Sequence, residues 1–157
     1  MIQAWRIAAD TPAYRSDDLS GKGGLASGGR WHQIGTSILY ASSTIALACL
    51  ETLVHLGAAR FPLNRYLVRL DIPDDVWGRR ETLSQPPVGW DAIPPGLVSI
   101  HAGQAWLTGR TSAVLEVPSV VIPEELNVLV NPAHADAAKV RAAKLRKWTY
   151  DGRMRGP

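Results

Sequence analysis

The sequence is poor in cysteine and has no long hydrophobic run. Its one cysteine, Cys49, cannot form a disulfide within the chain. No apolar stretch approaches the roughly 20 residues that a membrane-spanning helix needs. The first six residues also lack the charged head and apolar stretch of a secretory signal. These features exclude a disulfide scaffold and an integral membrane protein, and they predict a cytoplasmic chain.

A large excess of charge of one sign is also lacking. The 17 Lys and Arg residues exceed the 14 Asp and Glu residues by three. This excess permits an anionic ligand but does not specify a nucleic-acid or membrane partner. Most of it lies from Lys139 onward, where the only acid is Asp151. Because this region matches no groove-binding motif, we predict either a solvated face or a docking surface for an acidic protein partner, and no nucleic-acid binding.

The hydrophobic residues, 46% of a 157-residue chain, suffice for one packed core. Residue patterns predict strands at 2–7, 37–41, 65–72, 113–117, 119–122, 127–130 and 148–150. They predict helices from about 45 to 57, at 104–107 and, as a short helix or turn, over 137–147. A long loop at 11–29 and an irregular proline-rich connection at 73–95 complete the pattern. We therefore expect a single α+β domain over residues 1–157, with more strands than helices.

The helix after Thr44 has a polar pair beside its apolar positions. The residues that helical spacing places on its buried side are Ala46, Leu47, Leu50, Leu53, Val54 and Gly57. Glu51 and His55, four residues apart, share a different face. A solvated Glu51–His55 pair is one interpretation. The other is a carboxylate that faces a cleft, because this helix directly follows a strand.

Several common site types are absent. The four histidines have no zinc-like spacing, and Glu51-x-x-x-His55 lacks the second histidine of a zincin helix, so no metal site is predicted. No serine lies in a Gly-x-Ser-x-Gly elbow, and Cys49 is predicted to be buried. The run from Gly21 to Ala26 lacks the βαβ frame of a dinucleotide fingerprint and the spacing of a phosphate-binding P-loop.

The segment Gly28-Gly29-Arg30-Trp31-His32 is more informative. Two glycines allow a ligand to approach the backbone closely, and the adjacent Arg30 can clamp a phosphate through two hydrogen bonds. The alternative is an ordinary turn followed by a solvent-facing arginine. The segment alone leaves both interpretations open.

A set of short motifs follows one another along the chain, in the order Trp5-Arg6-Ile7, Leu19-Ser20-Gly21-Lys22-Gly23, Gly28-Gly29-Arg30-Trp31-His32, Leu39-Tyr40-Ala41-Ser42, Leu50-Glu51, Val117-Pro118-Ser119, Asn131-Pro132-Ala133-His134 and Tyr150-Asp151-Gly152-Arg153. Taken together, these motifs resemble the RES domain family, the toxin half of bacterial RES–Xre toxin–antitoxin pairs. The resemblance spans nearly the whole chain. Each motif is short, and the specificity comes from their order.

The resemblance implies a fold similar to that of ADP-ribosyltransferase toxins, NAD as substrate without a metal, and an Xre-like antitoxin as partner. It implies catalytic roles for Arg30, Tyr40 and Glu51. The implied NAD-binding residues are Arg6, Lys22, Gly29, His32, Ser99 and Ser119. Ser119 matches the family serine, while Ser99 and Ser112 remain alternatives for the hydroxyl that contacts NAD. Association with itself or with the antitoxin is left open.

The implied chemistry agrees with these residue types. Breaking the bond between ribose and nicotinamide creates positive charge on the ribose, which a carboxylate such as Glu51 can stabilise. Arginines suit the pyrophosphate, and a tyrosine face suits the nicotinamide ring. We expect NAD hydrolysis or phosphorolysis that depletes the cell of NAD. A protein ADP-ribosyltransferase is the alternative, and a non-catalytic binding domain is a third possibility.

Overall fold

One mixed sheet organises the chain. A computed structural model describes residues 1–57 and 60–155. The strands in these ranges are β1 (Ile2–Ala9), β2 (Leu39–Ser42), β3 (Arg65–Ile72), β4 (Glu81–Thr82), β5 (Val114–Pro118), β6 (Leu126–Val130) and β7 (Arg141–Lys147). They lie in the order β4-β5-β6-β2-β1-β3-β7, and only β4 and β5 pair in parallel. The expected α+β class is confirmed.

Four α-helices accompany the sheet within the described ranges. They are α1 (Lys22–Ala26), α2 (Ile45–Leu56), α3 (Asp74–Trp77) and α4 (Leu97–Gly109), and short 3-10 turns cover Ala135–Lys139 and Gly152–Arg155. The Thr44 hydroxyl accepts a hydrogen bond from the Leu47 N–H at 3.0 Å, which fixes the start of α2. No helix in the described parts of the chain is long and apolar enough to cross a membrane.

Several element predictions need correction. The residues predicted as a helix or turn over 137–147 form a 3-10 turn and then β7, because pairing with β3 along its length outweighs the weak local signal. Residues 119–122 are not a strand, since the Ser119 hydroxyl accepts N–H bonds from Val121 and Ile122 and turns the chain. The 11–29 loop contains α1, and the predicted helix at 104–107 is the end of the longer α4.

The predicted last strand at 148–150 is also absent. Its aromatic rings pack instead against neighbours on one side of the sheet: Tyr150 stacks on Phe61, with ring centres 5.0 Å apart, and the edge of Trp148 meets Tyr150. The Tyr150 hydroxyl donates to Thr52 on α2 at 2.8 Å. Side-chain packing on α2 therefore replaces strand pairing for this segment.

The buried face of α2 differs from the predicted one. Leu47, Ala48 and Cys49 are buried, the last two in a cluster with Ile7 of β1, so the burial predicted for Cys49 is confirmed. Leu50 and Val54 are exposed instead, with 56% of Val54 accessible. Ala46 is exposed as well. Because α2 is rotated in this way, one of its apolar edges borders a cleft and not the core.

A half-buried ion pair joins the residue that follows β1 to β7. Both carboxylate oxygens of Asp10 accept hydrogen bonds from the Lys144 ammonium at 2.8 Å, and one also accepts from the Ser16 N–H at 2.8 Å. Lys144, 20% exposed, is thus held within the fold. The hydrogen bond from Lys144, followed by that from Ser16, lowers the pKa of Asp10 from 3.8 to about 2.

Acid unfolding tests this pair. A carboxyl whose pKa is lower in the folded state adds stability above its unfolded pKa and loses that contribution as pH falls through the folded value. We expect Asp10→Asn to unfold at a lower temperature than wild type at neutral pH. The difference should shrink as pH falls from 3.8 towards 2. Melting curves across this range check the expectation, and a difference that is constant with pH would contradict it.

Candidate active site

A cleft of about 750 Å³ opens between the sheet, α2 and two connecting segments. Its floor comes from Trp5, Arg6 and Ile7 of β1 and from Tyr40, Ala41 and Ser42 of β2. The surrounding residues include Gly29, Arg30, Trp31, Glu51, Thr52, Val54, His55, Ile93, Pro94, Pro95, Pro118 and Asn127. The volume lies within the range of small-molecule sites, about 300–1,000 Å³.

Glu51 is oriented by two donors. Its Oε1 accepts a hydrogen bond from the Ser119 hydroxyl at 2.7 Å and another from the Asn127 side-chain amide at 2.5 Å. In the described ranges no hydrogen bond reaches Oε2, which leaves that oxygen for a ligand. No ion pair joins Glu51 to His55 there either, so the solvated-pair interpretation is wrong. The geometry favours the other interpretation, a carboxylate that is held in place and faces the cleft.

The three candidate serines have different surroundings. The Ser119 hydroxyl gives its proton to Glu51 and accepts the two N–H bonds that turn residues 119–122, so its hydrogen bonds are made within the fold. Ser99, buried on α4, donates to the Gly96 carbonyl at 3.4 Å. Ser112 accepts from the Trp106 indole and donates to a backbone carbonyl. All three serines are buried and none of them lines the cleft, so Ser119 acts on the cleft through its bond to Glu51.

Tyr40 is locked by a chain of hydrogen bonds. The His32 Nε2 faces two carbonyl oxygens, those of Gly24 and Ser27, at 2.9 Å, so this nitrogen carries the proton. With the proton on Nε2, Nδ1 can accept a hydrogen bond from the Tyr40 hydroxyl at 2.7 Å, and the Trp31 N–H donates to the tyrosine oxygen at 3.2 Å. Burial raises the pKa of Tyr40, which keeps the phenol neutral. His32 therefore fixes the position of Tyr40 through a hydrogen bond to its hydroxyl.

Gly29 makes room for this arrangement. A Cβ atom at this position would lie 2.7 Å from the Tyr40 hydroxyl and 3.0 Å from the His32 ring. Any larger residue would displace one of the two rings. The glycine predicted to allow close approach of a ligand thus also allows the close approach of Tyr40 and His32.

Arg30 both borders the cleft and holds one of its walls. Its Nη1 donates to the carbonyls of Trp90 and Ala92, each at 2.8 Å, and Trp31 stacks on Trp90 with ring centres 6.0 Å apart. Burial lowers the pKa of Arg30, opposed by the charges of Glu51 and Asp91. A guanidinium has five N–H donors, so those not given to the wall remain for a ligand. The interpretation of Arg30 as a solvent-facing turn residue is therefore wrong.

Arg6 lies between the main cleft and a smaller cavity of about 160 Å³. Its Nη1 is shielded from solvent and has no hydrogen-bond partner among the described residues. Burial lowers the pKa of Arg6, opposed by the charge of Asp18. Lys22 and Arg15 line the same small cavity, so positive side chains outnumber the one acid there. This arrangement suits an anionic ligand.

The buried carboxylate of Glu116 has a structural role. Glu116 on β5 accepts hydrogen bonds from Arg80 at 2.6 Å and from the Thr82 hydroxyl at 2.9 Å, both to Oε2. These bonds attach β4 to β5 away from the cleft lining. In residues 1–57 and 60–155 no group of His, Cys, Asp or Glu side chains is placed to hold a metal ion.

Sequence reasoning missed Asn127, Ser42 and Trp5 as parts of the site. Asn127 lies in a run predicted only as a strand, and nothing local marks its side chain. The signal that finds it is strand register: β2 pairs with β6 so that Ser42 faces Asn127. That pairing joins residues 85 positions apart along the chain.

The cleft of this α+β domain is a candidate active site, because an oriented carboxylate, a tyrosine and two arginines share its lining. The RES domain family model matches residues 3–152, and the chain belongs to the RES domain family. A relative from Sphingobium sp. (strain YBL2), named "Prs ADP-ribosylating toxin", is 54% identical over 96% of this chain and 94% of its own length. Proteins named "Toxin Res" from Pseudomonas putida and Photorhabdus laumondii are 36% and 33% identical, over 96% and 90% of this chain and 97% and 90% of theirs.

Proposed function

We propose that this chain is a bacterial toxin that cleaves NAD at the nicotinamide–ribose bond and transfers the ADP-ribose to a protein. The observation that carries the proposal is Glu51, whose Oε1 is held by Ser119 and Asn127 in the cleft that Tyr40 and Arg30 also line. Transfer to a protein, the alternative in the sequence-based expectation, is favoured here by the name of the 54% identical relative. The site of action that we propose is the cytoplasm, where NAD is abundant.

The residues of the cleft suit NAD as substrate. The Arg6 guanidinium carries a buried N–H that has no partner among the described residues, and the pyrophosphate of NAD supplies acceptor oxygens of opposite charge. Lys22 adds positive charge at the small cavity beyond Arg6. The Tyr40 hydroxyl is already bonded to His32 and to the Trp31 N–H. The face of the tyrosine ring therefore remains for the positively charged nicotinamide.

The proposed step breaks one bond and forms one. The C1′–N bond of NAD breaks, and its electron pair neutralises the nicotinamide ring, so the leaving group needs no proton. The ribose becomes oxocarbenium-like, and the Glu51 carboxylate stabilises its positive charge or holds a ribose hydroxyl. A nucleophile on the acceptor then attacks C1′ and releases its proton to solvent. Arg30 holds the wall formed by residues 90–92 while this occurs.

Water or phosphate is the second candidate acceptor. His55 and Val54 at the mouth of the cleft are exposed, so small nucleophiles can enter from solvent. Attack by water yields free ADP-ribose, and attack by phosphate yields its 1″-phosphate. Either product corresponds to the NAD depletion expected from the resemblance.

One incubation separates these acceptors. Purified protein is mixed with NAD labelled on the adenosine side, with and without phosphate and with and without purified Prs protein, the acceptor named for the Sphingobium relative. We expect nicotinamide release together with label on Prs. Label only in free ADP-ribose or its phosphate would support NAD degradation. No nicotinamide release under any condition would overturn the proposed function.

We further propose that an Xre-like antitoxin binds the toxin and contacts its basic region. Some of the basic residues in that region have their charge compensated within the fold. Lys139 is paired with Asp75 and Asp136, and Lys144 is paired with Asp10, so neither offers an uncompensated charge. Arg146 and Lys147 are exposed on β7, an edge strand of the sheet. Changing both to Ala should weaken antitoxin binding in a titration, and unchanged affinity would remove this region from the interface.

A further inference from the structure

A chain of hydrogen bonds leads from β2 through β6 to Glu51. The Ser42 hydroxyl lies 2.7 Å from Oδ1 of Asn127, and Nδ2 of the same side chain lies 2.5 Å from Oε1 of Glu51. Ser42 and Asn127 are direct partners in the pairing of β2 with β6. Both residues line the cleft. Two adjacent strands are thereby connected to the carboxylate on α2.

The direction of these bonds follows from the chemistry of the groups. A carboxylate only accepts hydrogen bonds, so the amide nitrogen of Asn127 must face Glu51. Its oxygen then faces Ser42, whose hydroxyl donates the proton. The carboxylate selects this orientation of the amide, and the hydrogen bond from Ser42 to Oδ1 holds the side chain in it. A turned amide would place two acceptors against each other and repel Glu51.

We infer that Asn127 is a positioning residue for the carboxylate of Glu51, and that Ser42 fixes the orientation of Asn127. This inference rests on the proposed function. The Ser119 hydroxyl alone would allow the carboxylate to rotate about a single contact. The second donor comes from β6, a different element from the 119–122 turn, and the two together define the plane of the carboxylate. Oε2 is then directed to the same point in the cleft at every turnover.

The kinetics of NAD cleavage distinguish a positioning role of Asn127 from a merely structural one. Loss of a hydrogen bond to a charged group corresponds to about a 10- to 100-fold change. We expect Asn127→Ala to lower kcat for nicotinamide release by about this factor, with KM for NAD changed less than about threefold. Asn127→Asp keeps the shape and the bond from Ser42 but replaces the donor with an acceptor, and it should lower kcat at least as much.

Two further variants test the connection. Ser42→Ala should lower kcat less than Asn127→Ala, and the double variant should be no slower than Asn127→Ala, because both changes act on one contact. Adding Asn127→Ala to Glu51→Gln should cause little further loss. The matched control is Asn131→Ala: this buried amide donates to the Leu107 carbonyl outside the cleft, so the variant should lose stability and retain kcat.

The outcomes distinguish this inference from the proposed function. If the wild type releases no nicotinamide, or Glu51→Gln retains full activity, the proposed function fails. If the wild type releases nicotinamide and Glu51→Gln loses activity, but Asn127→Asp keeps wild-type kcat, the positioning role of Asn127 is wrong. Additive losses for Ser42→Ala and Asn127→Ala would likewise contradict the chain of bonds. Because Asn127→Asp preserves shape, a failure of Asn127→Ala to fold does not block the test.

Discussion

Glu51→Gln is expected to lower the rate of nicotinamide release by about 100- to 1,000-fold, the cost of removing one preorganised electrostatic contact with a developing charge. The substitution preserves the shape of the side chain. Its amide oxygen can accept the hydrogen bonds from Ser119 and Asn127 that Oε1 accepts in the wild type. The amide nitrogen then faces the cleft, where it presents no negative charge to the ribose cation. KM for NAD should change little, because the charge that Glu51 stabilises develops only as the bond breaks.

The measurement is the initial rate of nicotinamide release at saturating NAD, together with a thermal melt of each protein. Glu124→Gln is the matched control, since Glu124 is an exposed carboxylate close to the same turn and outside the cleft lining. It should retain wild-type activity. In cells, expression of the wild type should arrest growth and Glu51→Gln should not. Equal rates for wild type and Glu51→Gln would show that the carboxylate has no part in the reaction.

Arg6→Met is expected to weaken the enzyme and stabilise the fold at the same time. The buried Nη1 of Arg6 has no partner among the described residues, and an unsatisfied buried donor costs about 1–3 kcal/mol. Methionine fills similar space without that donor, so the melting temperature should rise by about 2–4 °C for each kcal/mol regained. The attraction between Arg6 and Asp18 is lost as well, which reduces the gain.

The same substitution removes the charge proposed for the pyrophosphate. We expect KM for NAD to rise about 10- to 100-fold, the value of a hydrogen bond between charged groups. Arg79→Met is the control, because Arg79 is an exposed residue paired with Asp75 and Asp136 at the surface, where ion pairs contribute little. A lower melting temperature with unchanged KM would show that Arg6 has only a structural role.

The candidate site could be predicted in part. Arg6, Arg30, Tyr40 and Glu51 were found through ordered motifs that resemble a family, and the structure brings all four to one cleft. Their residue types already indicated the chemistry. Asn127 escaped prediction because an asparagine in a strand has no local signature. Its function depends on a register between strands that are far apart in the chain.

The fold shows the same division. The alternating pattern at 65–72 predicted β3 with correct bounds, because a strand with one face more buried than the other shows a period of two in its sequence. The basic run at 141–147 predicted no strand, since its charges mask the alternation at the sheet edge. The prediction of which side of α2 is buried was wrong for a related reason. Helical spacing shows which residues share a face, but it does not show which face meets the sheet.

By itself, the sequence determined one α+β domain, a helix that follows the N-cap residue Thr44, and the residue types of an anion-binding site with a carboxylate. These properties depend on composition and on neighbours within a few positions. The tertiary structure alone decided that Glu51 is held by Ser119 and Asn127, that Arg30 secures a wall of the cleft, and that Lys144 is paired internally. Such contacts depend on the pairing and packing of distant segments, which local pattern does not encode.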